Sequence, residues 1–233
     1  PEHVEWGTSL EEDLSRRDFT INSMAVDVAR GLLYDPFEGK ADMEANVIRA
    51  VGNAHLRCEE DALRILRAYR FLERGTGQPW RMDLDLKEAI QLHSKRLEMV
   101  AVERRWNEVK KILMKPGAGN ILNNMMQDGV LRYIFPNCQF ISPKIFHAMD
   151  RDELKETTVP QRLSFLLVEY KPKEVFEAMK FLKTSKETMK NTSRFHERLS
   201  HLPKPMTGEL RVFRHCLGQD AIPHLTFRKL LAD

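Results

Sequence analysis

The sequence predicts a mostly α protein in which a small α/β segment is followed by an elongated helical neck and body. Strand-like segments are confined to the first 52 residues, apolar residues recur with helical spacing from Glu59 onward, and Gly and Pro separate the helical stretches. The chain has 233 residues, 42% hydrophobic and 30% charged. This ordinary composition excludes collagen-like, low-complexity and wholly disordered proteins.

The first segments combine helix and strand signals. Ser9 and the acidic residues after it predict a helix over residues 9–22, because serine caps helices and the helix dipole favours acids in the first turn. Residues 25–34 predict a hairpin that turns near Gly31, and residues 47–51 predict a further strand. No strand is predicted beyond these.

Helical periodicity continues through the rest of the chain. In the helix predicted over residues 100–114, Val100, Val109, Ile112 and Leu113 are the candidate core residues. The predicted helices cover residues 59–74, 83–93, 100–114, 118–128, 159–169, 173–182, 186–199, 208–217 and 221–231.

Charge is distributed unevenly along the chain. The net charge is only +3, yet residues 1–60 hold 13 acidic and 6 basic residues, whereas residues 171–214 hold 5 and 11. A basic helical surface can neutralise the phosphates of a nucleic acid, and it is also the ordinary composition of a solvated helix face. Both interpretations stay open from charge alone.

Cysteine and hydropathy patterns bound the compartment. The three cysteines, at positions 58, 138 and 216, are far apart and odd in number, so neither a disulfide framework nor a zinc ribbon is predicted. No apolar run approaches the roughly 20 residues of a membrane span. A cytoplasmic protein without a membrane partner is predicted, and the sequence sets no oligomeric state.

Residues 16–22, RRDFTIN, hold the first candidate site. Two guanidiniums beside a carboxylate suit a ribose with a polyphosphate, since carboxylates accept hydrogen bonds from hydroxyls and Arg binds phosphate in a bidentate fork. A salt bridge on a helix surface is the alternative.

Residues 59–71, EEDALRILRAYRF, hold the second candidate site. Asp61 and Arg64 are three residues apart and are predicted to share a helix face, with Arg67 about 60° further round. A carboxylate beside an Arg can hydrogen-bond the edge of a nucleobase. The alternative is an intrahelical ion pair worth about 0.2–0.5 kcal/mol.

Two further patterns carry less chemistry. Residues 103–108, ERRWNE, are interpreted as scaffold, because Glu103 and Glu108 are five apart and do not form an obvious acid/base pair. The eight histidines lack the spacing of a metal site, so no metal ligand is predicted in this chain.

Taken together, the order and spacing of six motifs resemble the class II tRNA nucleotidyltransferases, the CCA-adding enzymes. Bacterial poly(A) polymerases share much of the series. The resemblance runs through about residues 7–135 and becomes loose beyond residue 140. The motifs are EEDL at 11–14, RRDFTIN at 16–22, DPFEG at 35–39, IRAVG at 48–52, EDALRILRA at 60–68 and ERRWNE at 103–108.

The resemblance implies roles in nucleotide binding. Arg17 and Asp18 would select ribose, with Asp18 on the 2′-hydroxyl and Asn22 nearby. Asp61 and Arg64 would pair with the base of CTP or ATP. Arg67 would help to hold the triphosphate. Residues 35–39 would form a flexible joint between the head and the neck, and residues 103–108 would brace the helix that holds Asp61 and Arg64.

The resemblance also implies an organisation and an activity. Residues 1–52 would be a remnant of the nucleotidyltransferase head with the hinge, 53–135 the neck, and 136–233 the RNA-binding body with the start of the tail. The intact enzyme would add C and A to tRNA 3′ ends. Its Mg²⁺ would be bound by an aspartate pair expected upstream of Pro1, so no catalytic residue is assigned here and the 233-residue chain alone is expected to be inactive.

Two alternatives remain at this point. Within the family, the chain could belong to a poly(A) polymerase or to a specialist that adds only CC or only A. Outside it, the chain could be a non-catalytic helical module that binds RNA.

Overall fold

The computed structural model is mostly helical and divides into two compact units, residues 1–100 and residues 101–233. The predicted three-part division at residues 52 and 135 stays a prediction. No helix among the described residues is both long and apolar enough to cross a bilayer. The structure describes residues 9–73, 80–138, 140–199, 215 and 218–232.

The first unit contains short helices and two small sheets. In the first sheet β1 and β2 pair antiparallel, with Ala25 opposite Tyr34, which confirms the predicted hairpin. In the second, β3 and β4 pair parallel. The elements are α1 (Leu10–Ser15), β1 (Ala25–Asp27), β2 (Leu32–Tyr34), α2 (Gly39–Glu44), β3 (Val47–Ile48), α3 (Ala54–Glu60), α4 (Leu63–Phe71), β4 (Arg81–Met82) and α5 (Leu84–His93).

Three expectations for this unit were wrong. The helix predicted over residues 9–22 starts after Ser9 as expected but ends at Ser15, and only a single 3-10 turn follows, at Thr20–Asn22. The helix predicted over residues 59–74 is two helices, α3 and α4. A strand beyond residue 51, β4, was not predicted.

The second unit is helical. Its α8 was not predicted, and the predicted helix over residues 208–217 lies outside the described residues except for residue 215. The other predicted helices of this unit are confirmed within a few residues at their ends. The elements are α6 (Val102–Leu113), α7 (Ala118–Gln127), α8 (Pro143–Met149), α9 (Val159–Leu166), α10 (Pro172–Phe181), α11 (Lys186–Leu199) and α12 (Ala221–Ala232).

A buried arginine, Arg162, links several segments of the second unit. Arg162 donates to the carbonyls of Leu113 and Leu154 over 2.8 and 2.7 Å, and to the Thr157 hydroxyl over 3.0 Å. Burial lowers the pKa of this guanidinium. Because each carbonyl belongs to a different chain segment, the side chain joins α9 to the end of α6 and to the segment from Leu154 to Thr157. The four predicted core residues of the 100–114 stretch are all buried.

Cys58 and Cys138 are buried, and we expect neither to react with iodoacetamide at pH 8 in the folded protein. Desolvation raises the pKa of each thiol to about 11, so the reactive thiolate is scarce at that pH. Peptide mass spectrometry after brief labelling checks this, with urea-unfolded protein as the positive control. Native labelling as fast as that of the unfolded chain would contradict the prediction.

Candidate nucleotide site and basic surface

Asp18 is the centre of a side-chain cluster in the first unit. Its carboxylate is 7% exposed and accepts four hydrogen-bonding contacts. Oδ1 accepts from the Phe19 backbone N–H at 2.9 Å and from Asn22 Nδ2 at 3.0 Å, and Oδ2 accepts from Arg67 Nε at 2.7 Å and from its Nη2. The structure therefore brings together three of the six predicted site residues, Asp18, Asn22 and Arg67.

Backbone pairing fixes this aspartate in place. The Val51 N–H donates to the Asp18 carbonyl over 3.2 Å, and the Thr20 N–H donates to the Arg49 carbonyl over 3.0 Å. Between them Phe19 forms an isolated antiparallel bridge with Ala50. The extended pairing explains why the helix predicted over this stretch stops before it.

Packing brings α4 to the cluster. The Phe19 ring is buried and meets the Phe71 ring edge-on, with centroids 5.6 Å apart. Arg67 lies one turn before Phe71, with its guanidinium 5.8 Å from that ring, and one third of its side chain is exposed. Arg67 can therefore hold Asp18 and still present part of its guanidinium to a ligand.

Arg64 points toward the same region through different contacts. Its Nη1 donates to Glu60 Oε2 over 2.8 Å and to the Arg57 carbonyl over 3.0 Å, while Nη2 donates to the Arg16 carbonyl over 3.1 Å. The acceptor of the last bond, Arg16, is two residues before Asp18 in the sequence. Arg64 is thus adjacent to the cluster.

Asp61 does not share a helix face with Arg64, and this expectation was wrong. Asp61 is extended, at φ −146° and ψ 98°, and it ends α3. Its Oδ1 accepts from the Leu63 N–H over 3.0 Å, and its carbonyl accepts from the Arg64 N–H over 3.0 Å. Aspartate favours such local bonds to the backbone over a helix interior, which explains the break.

Arg17 lies apart from the cluster. Its Nη2 pairs with Asp13 Oδ2 on α1 over 2.8 Å, and half of the side chain is exposed. No contact within the described residues joins its side chain to Asp18. The predicted role of Arg17 in ribose selection stays a prediction.

A charged network that the sequence did not reveal supports the cluster. Arg49 Nε donates to Asp42 over 3.1 Å, and its Nη1 donates to Asp83 over 2.9 Å, while the Thr20 hydroxyl donates to Asp42 over 2.7 Å. The hydrogen bond to Asp42 raises the pKa of Arg49, and burial raises that of Asp83. Asp83 also caps α5 through the Leu86 N–H. In the sequence, the only sign that Asp83 has a structural role is its position directly before a helix.

Residues 35–39 form a helix cap. The two Asp35 carboxylate oxygens accept from the N–H groups of Gly39 and Lys40 over 2.7 and 2.9 Å, at the start of α2. Glu38 adopts the left-handed region at φ 59°. A role for this segment as a joint between head and neck stays a prediction.

Gly39 packs directly on the site, and we expect Gly39→Ala to lower the free energy of unfolding by about 3 kcal/mol. An added Cβ would lie 2.2 Å from the Thr20 carbonyl oxygen, and backbone cannot retreat cheaply. Gly31→Ala is the control, because its Cβ meets nothing within 4 Å and only the strain of φ +65° is expected, about 1 kcal/mol. Urea unfolding measures both. Equal losses in the two variants would contradict this contact.

Residues 103–108 lie on α6 of the second unit. Glu103 Oε1 pairs with Lys183 over 2.7 Å, and this hydrogen bond lowers the Glu103 pKa. Glu108 is buried and pairs with Lys111 over 2.7 Å. These contacts agree with a structural role for residues 103–108. Their predicted role as a brace of the helix that holds Arg64 stays a prediction.

Helix α11 carries the clearest basic face of the second unit. Lys186, Lys190 and Arg194 follow at intervals of four residues, so they lie along one side of the helix, and all three are exposed. Arg194 pairs with Asp220 over 2.6 Å. Neither lysine has an ion pair within the described residues. The two lysines can therefore meet an external anion.

Comparisons with known proteins found two matching family models and several curated relatives. Residues 1–49 match the family described as the poly A polymerase head domain, and residues 81–141 match a probable RNA- and SrmB-binding site of polymerase A. Curated relatives include a Streptococcus pyogenes CCA-adding enzyme, 45% identical over 120 residues, and a Danio rerio mitochondrial CCA tRNA nucleotidyltransferase 1, 40% identical over 130 residues. These segments cover 50% and 56% of this chain but only 28% and 30% of the relatives.

Solved structures show the same likeness. The Bacillus stearothermophilus CCA-adding enzyme in complex with CTP matches 97% of this chain and 60% of its own, at 26% identity and a TM-score of 0.76. The Thermotoga maritima CCA-adding enzyme complexed with tRNA shares the fold at a TM-score of 0.65. In sequence and fold the chain is similar to helical nucleotidyltransferases, and residues 1–49 are similar to the poly(A) polymerase head. The matched family models and these relatives liken the chain to the tRNA nucleotidyltransferases and poly(A) polymerases.

Proposed function

We propose that the intact protein is a template-independent RNA nucleotidyltransferase that adds C and A to tRNA 3′ ends from CTP and ATP. The hydrogen bonds of Asp18 with Asn22 and with Arg67 on α4 carry the proposal. They join residues suited to binding a ribose to a helix whose arginines suit a base and a phosphate. The likeness to a CCA-adding enzyme in complex with CTP supports it. The chain spans 60% of that protein.

The contacts refine how a nucleotide would bind. Asp18 already accepts two donors on each oxygen, so a ribose hydroxyl has to replace one of them. We therefore assign Asp18 first to orienting Arg67, and the partly exposed Arg67 to the triphosphate. Arg64 and Asp61 would read the base, with Asp61 reaching it from the break between α3 and α4. Arg17 is half exposed and paired with Asp13. It would contact phosphate or ribose only if this ion pair broke.

The proposed reaction includes Mg²⁺, because the resemblance to the CCA-adding enzymes implies it. The described residues contain no group of three or more His, Cys, Asp and Glu arranged to hold a metal ion. They do not fit a Mg²⁺ site, and no step is assigned to this chain through the metal. We propose that other carboxylates of the intact protein bind it.

RNA binding is proposed for the second unit and for residues 81–141. The family model for that segment is described as a probable RNA-binding site, and α11 presents two lysines without an ion pair in the described structure. A cytoplasmic location follows from the cysteine pattern and remains part of the proposal. A helical RNA-binding module without catalysis is the outcome in which tRNA binds but no nucleotide is added.

Addition assays test the function directly. Full-length protein is incubated with tRNA ending at the discriminator base, or in CC, and with each NTP separately. We expect C addition to the first substrate and A addition to the second. A long A tail would indicate a poly(A) polymerase, and activity with only one nucleotide would indicate a CC- or A-adding specialist. No addition to any substrate would contradict the proposal.

Base selection makes a sharper prediction. In full-length protein, Asp61→Ala and Arg64→Ala should each reduce the discrimination of CTP and ATP from UTP, because each lost base contact is worth about 1–3 kcal/mol. Initial rates with all four NTPs measure it. Unchanged selectivity in both variants would remove these residues from base recognition.

A further inference from the structure

Arg57 contacts Arg64 through a shared carboxylate and through its own backbone. Arg57 Nη1 donates to Glu60 Oε2 over 2.8 Å, and Arg64 Nη1 donates to the same oxygen over 2.8 Å. The Arg57 carbonyl also accepts from Arg64 Nη1, over 3.0 Å. Arg57 therefore holds Arg64 twice, once through a shared carboxylate and once through its own backbone.

Arg57 is itself anchored. Its Nε donates to the Val51 carbonyl over 3.2 Å, in the segment that pairs with Asp18, and its side chain is 22% exposed. Glu60 is 49% exposed, so alone it would be free to swing into water. A carboxylate fixed between two guanidiniums loses that freedom.

These bonds leave the Nε–H group of Arg64 available. Both hydrogens of Nη1 and one of Nη2 are held by the chain. Within the described residues, Nε has no hydrogen-bond partner. In any guanidinium, Nε–H and one Nη hydrogen lie on the same edge and form two parallel donors. That pair matches two adjacent acceptors, which cytosine presents and uracil does not.

We propose that Arg57 is a positioning residue for base selection, which acts through Glu60 to fix the direction of the Nε edge of the Arg64 guanidinium. The inference rests on the proposed function. Without Arg57, Glu60 would keep its bond to Arg64 but lose its own support. The guanidinium would then sample orientations that also accept the wrong base.

Arg57→Met in the full-length protein tests this inference. We expect the ratio of kcat/KM for CTP over UTP to fall about fivefold, with little change in the KM for tRNA. Arg30→Met is the matched control, since Arg30 is exposed on the hairpin and faces Asp27 at 3.8 Å. It should keep the parental ratio. Arg57→Lys retains a cation for Glu60 and should give an intermediate ratio.

A double-mutant cycle separates positioning from general loss of structure. In a Glu60→Gln background, Arg57→Met should change the ratio much less than it does in the parent, because the bridging charge is already gone. An unchanged ratio in folded Arg57→Met, or in Arg57→Lys where the methionine variant does not fold, overturns the inference. Equal effects in both backgrounds do so as well. A parent that adds no nucleotide contradicts the proposed function itself, which is a different result.

Discussion

Arg67→Met is expected to lower the free energy of unfolding by about 2–3 kcal/mol and to raise the KM for CTP and for ATP by about tenfold each. The loss of stability follows because the Asp18 carboxylate, 7% exposed, would lose the cationic partner that compensates its burial. The value lies below that of a fully buried pair because one third of Arg67 is exposed. The effect on both nucleotides follows because a triphosphate is common to them.

The same helix supplies the control for this variant. Arg70 lies one turn further along α4, with its guanidinium 4.4 Å from the Phe71 ring, so both arginines stack on one aromatic side chain. Arg70→Met removes an equal charge and a similar contact without removing the bond to Asp18. We expect a smaller loss of stability and little change in KM. Urea unfolding and initial-rate kinetics in full-length protein measure the pair.

The pattern across nucleotides distinguishes the roles of the two arginines. Loss of Arg67 should weaken every nucleotide alike, whereas loss of Arg64 should change the ratio between them. If Arg67→Met changes selectivity and leaves the KM for CTP at the parental value, the assignment of Arg67 to the triphosphate is wrong. Equal stability of the Arg67 and Arg70 variants would mean that the Asp18 pair contributes little.

Local sequence rules predicted single elements of the first unit but not how those elements meet. Periodicity predicted that the stretch containing α4 is helical but missed the break before it, and local capping rules predicted the start of α1 at Ser9. The bond between Asp18 and Arg67 joins residues 49 apart in the chain and depends on the packing of Phe19 against Phe71. Neither periodicity nor spacing contains that information.

The errors also have physical causes. Asp61 fits the helical spacing of its neighbours, and only its competing bond to the Leu63 N–H breaks the helix there. Strand β4 has two residues and exists because it pairs with β3, which is 34 positions earlier at Val47 and Arg81. Such a short strand has no pattern of its own, so its partner decides it.

The second large effect is expected for tRNA binding through α11. Lys186→Gln with Lys190→Gln should weaken tRNA binding on the order of tenfold at low salt, and should reduce the slope of log K against log salt by about 1.5. Both lysines are exposed without ion pairs in the described part of the chain, so each can displace a counterion from a phosphate. Filter binding at several salt concentrations measures affinity and slope together.

A matched pair of lysines tests whether position or mere charge matters. Lys111 pairs with Glu108 over 2.7 Å and Lys155 pairs with Asp152 over 2.8 Å, so Lys111→Gln with Lys155→Gln removes the same charge from the same unit. Because these ammonium groups already face carboxylates, their loss should change the slope much less. Equal changes in both double variants would assign tRNA affinity to net charge alone. An unchanged slope after loss of Lys186 and Lys190 would exclude this face of α11 from the RNA interface.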